Sequence, residues 1–346
     1  MSPIQDRVLL NDSNLSGLPP RKRVLVWFIT GNPGLIEYYR AFLTNVYDQL
    51  SHNDNKVVYT VQGTSLAGFE VNPRSPHRSD LKKPLPYNLD EQIQFMSRQL
   101  ENAIREDKNG PPDDVILIGH SVGAYIALKT VELWQAPSMQ QSRTWSISAV
   151  VLLFPTIVDI ARSPSGKKLT PLFRFPLFPL CVHYLVKTLF LLVPLFVVTL
   201  LVRLFTLMPM EDAKITASFL KSDLGVYQAL VMAKHEMAEI CEDKFTDEVW
   251  GKQEVKATQE RLTKEANDAS SYHKHPHLHF YWGSNDHWVA TETRDKLLET
   301  RAAHSASEGN NYVTMEIDIH KVPHSFCMQH SNIIADKVAQ FIKQLE

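Results

Sequence analysis

The sequence lacks several features that would place it in a specialised class of protein. It contains three cysteines in 346 residues, Cys181, Cys241 and Cys327, and their spacing suits neither a disulfide framework nor a metal site. This scarcity favours a reducing, cytosol-facing location. No apolar segment follows the first residues, so we expect no secretory signal peptide. Lysine and arginine (36) nearly balance aspartate and glutamate (38), so no basic field exists to bind nucleic acid.

The residues that are present indicate a large α/β protein. Short apolar runs alternate along the chain with segments of helical periodicity. The predicted strands are Val24–Ile29, Val57–Val61, Val115–Ile118, Ala149–Phe154, His277–Gly283 and Met315–Val322. The predicted helices are Ile36–Leu50, Leu89–Arg105 with Asn88 as its cap, Val289–Thr300 and Ser331–Leu345. This alternation predicts a mostly parallel sheet with helices on both faces.

One interruption of the alternation divides the chain into three parts. Residues 1–155 and 246–346 carry the alternating pattern and predict the two halves of one α/β core. Residues 156–245 break the pattern and predict an inserted helical cap, which contains the apolar segment 172–208. The charged stretch Glu236–Lys264 predicts an exposed helical face.

Residues Asp114–Lys129 read DVILIGHSVGAYIALK and indicate a strand, a sharp turn and a helix, with Ser121 at the turn. A Gly-x-Ser-x-Gly pattern alone is weak, because five-residue patterns arise by chance. The flanking elements make it specific: the turn forces Ser121 out above the sheet edge, and Gly119 and Gly123 leave room for it. The pattern therefore predicts that Ser121 is a nucleophile rather than an ordinary surface serine.

A serine hydroxyl needs a base to remove its proton, and the base needs an acid that orients it. In this architecture the three residues follow in the order serine, acid, histidine, each after a strand. His324 follows the last predicted strand and is the predicted base. Asp286 follows the strand His277–Gly283 and is the predicted acid. Asp159, shortly after the preceding strand, is an alternative acid.

The loop after the first strand predicts part of an oxyanion hole. One backbone N–H should come from Val122, the residue after the nucleophile, and a second from the loop Gly31, Asn32, Pro33, Gly34. Pro33 has no N–H to give, so Gly31, Asn32 and Gly34 are the candidates. The same four residues also encode an ordinary turn.

The apolar segment 172–208 is the most unusual part of the sequence. No charged residue occurs between Thr188 and Val202. Pro194 interrupts the run, which favours a hairpin that dips into one leaflet of a membrane over a straight span. The residues predicted to lie in lipid are Leu189, Phe190, Leu191, Leu192, Pro194, Leu195 and Phe196. The alternative is an apolar lid buried over the active site.

Several other histidines lie near the predicted site, and none of them is predicted to act in catalysis. His287, His320 and His330 flank the predicted acid and base; each is interpreted as solvated or core, and His320 is expected within a strand. His273, His275, His277 and His279 alternate, but Pro276 interrupts them and no cysteine or carboxylate lies between them. We therefore predict neither a metal site nor a cofactor.

Four motifs together resemble the lipid droplet-associated hydrolase family, a branch of the α/β-hydrolases. They are Gly-Asn-Pro-Gly at Gly31–Gly34, Gly-His-Ser-Val-Gly at Gly119–Gly123, Gly-Ser-Asn-Asp at Gly283–Asp286 and Pro-His-Ser-Phe at Pro323–Phe326. The resemblance implies Ser121 as nucleophile, Asp286 as acid and His324 as base. It also implies a location on lipid droplets and the endoplasmic reticulum, with sterol esters or triacylglycerols as substrates.

The leading hypothesis is a serine ester hydrolase that acts on lipid esters at a droplet surface. Its predicted partners are the lipid ester substrate and the droplet monolayer or endoplasmic reticulum membrane, with no nucleic acid and no obligate protein partner. A second hypothesis is a droplet-associated protein whose hydrolase fold has little or no turnover and serves droplet organisation. A third is a soluble esterase with an apolar lid.

Overall fold

A seven-stranded sheet organises the part of the chain that the structure describes. The computed structural model describes residues 4–11, 22–51, 57–71, 86–135, 144–246, 248–250, 275–302 and 312–345. The strands are β1 (Arg7–Leu10), β2 (Lys22–Ile29), β3 (Val57–Thr64), β4 (Asp114–His120), β5 (Ser146–Leu153), β6 (His277–Trp282) and β7 (Val313–Ile317). Their order is β1-β3-β2-β4-β5-β6-β7. Only β1 runs antiparallel to its neighbour among these strands, so the predicted mostly parallel sheet is confirmed.

Helices connect the strands and cover the sheet. The described α-helices are α1 (Arg40–Ser51), α2 (Leu89–Arg105), α3 (Val122–Gln135), α4 (Pro164–Leu169), α5 (Phe178–Phe190), α6 (Leu195–Thr206), α7 (Met210–Lys221), α8 (Gly225–Glu239), α9 (Thr291–Leu297) and α10 (Ser331–Lys343). Helix α1 packs against α10, and α2 packs against α3. Right-handed crossovers put these two pairs on opposite faces of the sheet. The central strands are therefore buried on both sides, which is why they read as continuous apolar runs.

Two loops with predicted site residues meet where the strand order reverses. From β2 the chain moves to β3 on one side, whereas β4, β5 and β6 follow on the other side. Because β2 and β4 are parallel neighbours, the loops that follow Ile29 and His120 leave the same edge of the sheet side by side. Open α/β sheets bind ligands at this kind of position.

The last strand ends earlier than its sequence predicts. The predicted strand was Met315–Val322, whereas β7 ends at Ile317, and His320 lies outside it. The cause is the buried carboxylate of Asp318, which accepts hydrogen bonds from the backbone N–H groups of His320 and Val322 at 3.2 and 2.7 Å. Such side-chain bonds replace the bonds between strands and turn the chain.

The edge strand β1 was not predicted. It has four residues, Arg7–Leu10, and pairs with β3 from Val61 to Thr64. Four residues at an edge are too few for a period-2 pattern to be recognised from sequence. Strand β3 correspondingly runs three residues beyond the predicted Val57–Val61.

Between β5 and β6, the described residues form five α-helices, α4 to α8. Helices α5 and α6 are bent by 115° relative to each other across a break of four residues. Among the described residues no single helix is long and apolar enough to cross a membrane, although this bent pair together meets the requirements of length and composition. Helix α6 packs against α7, and α5 packs against α8.

A lysine holds the bend between α5 and α6. Lys221 Nζ donates to the backbone carbonyls of Phe190 and Val193 at 2.7 and 2.8 Å. These carbonyls lie at the end of α5 and in the turn after it, where the helix supplies no partner. The contact fixes the two helices against α7.

The side chains around this bend point outward. We call Leu189, Leu191, Leu192, Leu195 and Phe196 the outer apolar face; their exposed fractions are 64, 62, 91, 41 and 67%. Pro194 is also exposed, whereas Phe190 is half-buried against the cluster that Val198 and Ala213 form between α6 and α7. Monomeric soluble proteins rarely expose so many contiguous large apolar side chains.

Candidate active site

Ser121 lies at a sharp turn between β4 and α3. Its φ of 56° is in the left-handed region, which non-glycine residues rarely adopt. Two glycines permit the turn. A Cβ at Gly119 would lie 2.4 Å from the Gly123 carbonyl oxygen, and a Cβ at Gly123 would lie 2.3 Å from the Ile29 carbonyl oxygen. The strand, turn and helix thus hold the serine at the sheet edge.

The structure brings Ser121, His324 and Asp286 into one hydrogen-bonded chain. His324 Nε2 lies 2.9 Å from Ser121 Oγ, and His324 Nδ1 lies 2.7 Å from Asp286 Oδ2. An ionised carboxylate only accepts, so Nδ1 carries the proton of the neutral ring. Nε2 is then an acceptor, and the serine hydroxyl donates to it. This is the arrangement that a serine nucleophile requires of its base.

Backbone contacts fix the acid and the base. Asp286 Oδ1 accepts from the Trp288 N–H at 2.8 Å, which leaves Oδ2 for His324. The loop before His324 turns at Asp318, whose Oδ1 also accepts from the Tyr281 hydroxyl at 2.7 Å. Asp318 could not be recognised from the sequence, because an aspartate within a predicted strand carries no motif.

The alternative acid lies elsewhere. Asp159 Oδ2 contacts Arg162 Nη1 and Thr293 Oγ1, each at 3.4 Å, whereas the carboxylate beside His324 belongs to Asp286. The ring of His287 is 6.1 Å from that of His324, centroid to centroid, and burial lowers its pKa.

The predicted oxyanion residues differ in their packing and in whether the backbone N–H group already has a hydrogen-bond acceptor. Val122 is the first residue of α3, where no carbonyl of the helix is available to its N–H. Gly31 lies against the nucleophile: a Cβ there would be 3.1 Å from Ser121 Cβ. Its N–H, however, donates to the Tyr39 hydroxyl at 3.2 Å. A Cβ on Gly34 would lie 2.5 Å from Leu66 Cβ, so this residue packs against Leu66.

A second chain of hydrogen bonds passes beneath Ser121. His120 Nε2 lies 2.9 Å from the His324 carbonyl oxygen, which only accepts, so Nε2 carries the proton. His120 Nδ1 therefore accepts from the Tyr39 hydroxyl at 2.7 Å, and that hydroxyl accepts from Gly31 N–H. Burial lowers the pKa of His120 well below its usual value, which keeps the ring neutral as these bonds require.

Glu236 corrects one expectation from the sequence. The stretch Glu236–Lys264 was predicted to be an exposed helical face, but Glu236 is buried on α8 and only 4% exposed. Its Oε1 accepts from Asn32 Nδ2 at 2.9 Å. Burial raises the pKa of Glu236 to about 7. Residue 247 and residues 251–264 of the predicted face lie outside the described residues.

The described ranges contain no group of three histidine, cysteine, aspartate or glutamate side chains placed to hold a metal ion. His277 and His279 lie on β6, His275 precedes it, and His273 lies outside the described residues.

Comparison with known proteins shows which family the chain resembles. A family model described as lipid-droplet associated hydrolase matches residues 22–327, which is most of the chain. The chain belongs to this family. A lipid droplet-associated hydrolase from Gallus gallus is 30% identical over 284 residues, covering 80% of this chain and 74% of the relative. Those from Drosophila melanogaster and Homo sapiens are 25 and 24% identical, cover 93% of this chain in each case, and are themselves covered to 90 and 86%.

Solved structures agree with this family on the fold. The peroxisomal α/β-hydrolase Lpx1 from Saccharomyces cerevisiae aligns with a TM-score of 0.57 at 9% identity, covering 98% of this chain and 81% of that one. The epoxide hydrolase CorEH aligns with a TM-score of 0.52 at 13% identity, covering 98 and 95%. The predicted α/β-hydrolase fold is therefore confirmed.

Proposed function

We propose that this member of the lipid-droplet associated hydrolase family is a serine ester hydrolase that cleaves lipid esters at a droplet surface. The observation that carries the proposal is the unbroken chain from Ser121 Oγ through His324 to Asp286, with distances of 2.9 and 2.7 Å. The partners of each atom fix the direction of both hydrogen bonds. Three polar residues that meet by chance would not be expected to orient both hydrogen bonds in the direction that catalysis needs, with the serine held at a strained turn.

The proposed reaction proceeds through an acyl-enzyme. Ser121 Oγ attacks the ester carbonyl carbon while its proton passes to His324 Nε2. The tetrahedral intermediate collapses, the bond to the alcohol oxygen breaks, and the imidazolium returns the proton to the departing alcohol. A water molecule then repeats the sequence and releases the acid. Asp286 stabilises the imidazolium in both halves of the reaction.

Two backbone N–H groups would stabilise the oxyanion. We assign the first to Val122, at the N-terminus of α3, where the helix also favours negative charge. For the second we favour Asn32 over its neighbours, because the Gly31 N–H already binds Tyr39, Pro33 has no N–H and Gly34 packs against Leu66.

The family and the outer apolar face support a lipid substrate. Relatives are described as lipid droplet-associated hydrolases. The division proposed from sequence puts the cap (residues 156–245) between two parts of the core, 1–155 and 246–346. We propose sterol esters or acylglycerols as substrates and the cytosolic side of droplets and the endoplasmic reticulum as the location.

We propose that the segment 172–208 embeds in one leaflet. A lid buried over the site would keep its apolar residues inside, whereas Leu192 is 91% exposed. Helices α5 and α6 have 13 and 12 residues, so each is about 20 Å long, and a hydrocarbon core is about 30 Å thick. Helix α5 packs on α7 and α8, and α6 packs on α7, which leaves the outer apolar face free to enter the lipid.

A fluorophosphonate probe tests the chemistry. Attack by Ser121 Oγ on phosphorus expels fluoride and leaves a covalent label. We expect wild type to be labelled, Ser121→Ala to lose both the label and hydrolysis of cholesteryl oleate or triolein in phospholipid-coated droplets, and Ser148→Ala, a half-buried serine on β5, to behave as wild type. An unlabelled wild type that still binds droplets would favour the second hypothesis, a hydrolase fold with little turnover.

A further inference from the structure

Glu236 is a carboxyl group in a place where carboxyl groups are costly. It is 4% exposed, on the inner face of α8. Burying a carboxylate is unfavourable unless a cation accompanies it. Among the residues that the structure describes, no lysine, arginine or histidine forms an ion pair with Glu236, and its hydrogen-bond partner is the neutral amide of Asn32. Neither the hydrolytic mechanism nor the packing of the core requires an acid here.

The Asn32 side chain connects the oxyanion loop to α8 at two points. Its Nδ2 donates to Glu236 Oε1 at 2.9 Å and to the Ala229 carbonyl oxygen at 3.0 Å. Positions seven residues apart lie on the same face of a helix. Nδ2 thereby uses both of its hydrogens. Asn32 Oδ1 is buried and has no hydrogen-bond donor among the described residues.

Among the described residues, protonation of Glu236 would explain both the buried carboxyl group that has no cation beside it and the buried Asn32 Oδ1 that has no donor. A protonated carboxyl group needs no cation, and its O–H is a donor on the residue that Asn32 already contacts. The raised pKa of Glu236, about 7, agrees with a substantial protonated fraction near neutral pH. The carboxyl and the amide can then pair through two hydrogen bonds, one in each direction.

We propose that Glu236 is a positioning residue for the oxyanion hole: as a neutral acid on the cap it pairs with the Asn32 amide and holds the Asn32 backbone N–H toward the oxyanion. This inference rests on the proposed function. It also gives the cap a part in catalysis, because α8 packs against the lipid-facing helix α5, where the rings of Tyr227 and His183 are 6.3 Å apart.

The test is steady-state hydrolysis of p-nitrophenyl butyrate by the purified full-length chain. Glu236→Met fills the same space without polar atoms, and we expect it to lower kcat at least tenfold while KM stays within about twofold, since an oxyanion donor acts on the transition state. Glu236→Gln can donate and accept as the neutral acid does, and should restore kcat to within about threefold of wild type. Glu239→Ala, an exposed site on the same helix, is the matched control.

Asn32→Ala keeps the backbone N–H but removes the contact from the side of the core. We expect the same fall in kcat as for Glu236→Met, and no further fall in the double variant, because the two residues act as one unit. If Glu236→Met does not fold, Asn32→Ala still tests whether loss of the contact between Asn32 and Glu236 lowers kcat.

The inference is overturned if Glu236→Met keeps kcat within twofold, if its loss lies in KM, if Glu236→Gln is as slow as Glu236→Met, or if Asn32→Ala is as fast as wild type. If wild type is active and the Glu236 variants have the same kcat as wild type, this inference alone is refuted. A wild type that neither turns over the ester nor takes the fluorophosphonate label refutes the proposed function and this inference together.

Discussion

His324 lies between two oxygen atoms with opposite roles. Asp286 Oδ2 can only accept, and this fixes the ring proton on Nδ1. Ser121 Oγ must then donate to Nε2, which is the direction needed for attack. The neighbouring His120 has the opposite tautomer, because its Nε2 faces a carbonyl oxygen. The two imidazoles therefore have different tasks in the proposed reaction: that of His324 would transfer a proton, whereas that of His120 contacts the loop that carries His324.

Asp286→Asn separates the two candidate acids. An asparagine there can donate to Nδ1 and stabilise the wrong tautomer, so we expect kcat to fall by about 10⁴-fold with little change in KM. Asp159→Asn should stay within about twofold of wild type, because its contacts are Arg162 and Thr293. Steady-state kinetics with p-nitrophenyl butyrate measures both variants. A large loss in Asp159→Asn together with an active Asp286→Asn would reverse the assignment.

The proximity of Ser121, Asp286 and His324 could be predicted, because their types and their order after successive strands follow from the chemistry. The contacts of Tyr39 and Glu236 could not be predicted. A tyrosine on an amphipathic helix and a glutamate in a charged stretch have ordinary interpretations in sequence. Their contacts join residues that are far apart in the chain, such as Asn32 and Glu236, which 204 positions separate.

Among the elements, helix α2 shows how closely a local signal can fix a boundary. Asn88 Oδ1 accepts from the Glu91 N–H at 2.9 Å, and Glu91 Oε2 accepts from the Asn88 N–H at 2.8 Å. This reciprocal cap begins the helix where the sequence places it. Strand β7 shows the opposite case, because its end depends on the buried side chain of Asp318 and not on apolar alternation.

The exposure of the outer apolar face leads to a prediction about how helices α5 and α6 bind droplets. The double variant Leu192→Glu, Phe196→Glu should bind phospholipid-coated triolein droplets at least tenfold more weakly, because each charge must leave water to enter the lipid. Fluorophosphonate labelling in detergent-free buffer should stay as in wild type, since both side chains are exposed and not part of the core.

Flotation of droplets in a density gradient measures the binding. Leu133→Glu is the matched control, because Leu133 is an exposed leucine (45%) on α3 and does not belong to the outer apolar face. Droplet binding by the double variant equal to that of the control would count against embedding through this face.

At the scale of the whole molecule, sheet topology assembles the site. The loops after β2 and β4 are neighbours because those strands are paired, although about 90 residues separate Gly31 from Ser121. Strand periodicity predicted this layout, and the division into a core and an inserted cap stays a prediction. The packing of helices α4 to α8 could not be predicted, because an apolar face satisfies the same sequence pattern whether it packs on protein or enters lipid.

The buried acid should affect the stability of the whole protein. The pKa of Glu236 is raised from 4.5 to about 7, so the folded state binds more protons than the unfolded state between these values. The unfolding free energy should therefore fall as pH rises through this window, by at most about 1.4 kcal/mol per pH unit. Glu236→Gln cannot ionise and should gain stability relative to wild type as pH increases.

Chemical denaturation of both proteins at intervals from pH 5 to pH 8 measures this difference. Burial lowers the pKa values of His120 and His279, so these residues make the unfolding free energy rise with pH. Both proteins contain them, so the difference between the two proteins reports on Glu236. A difference that does not change with pH would mean that Glu236 titrates normally in the folded state.

If α5 and α6 embed in lipid as we propose, the 115° bend between them has a consequence for movement between the endoplasmic reticulum and droplets. A droplet has one phospholipid layer over an oil core and no second aqueous compartment, so a straight transmembrane helix would leave a polar terminus stranded in oil. A protein held as we propose occupies only the layer that faces the cytosol. That layer is continuous where a droplet grows from its parent bilayer, so the protein can diffuse from one to the other without withdrawing from lipid.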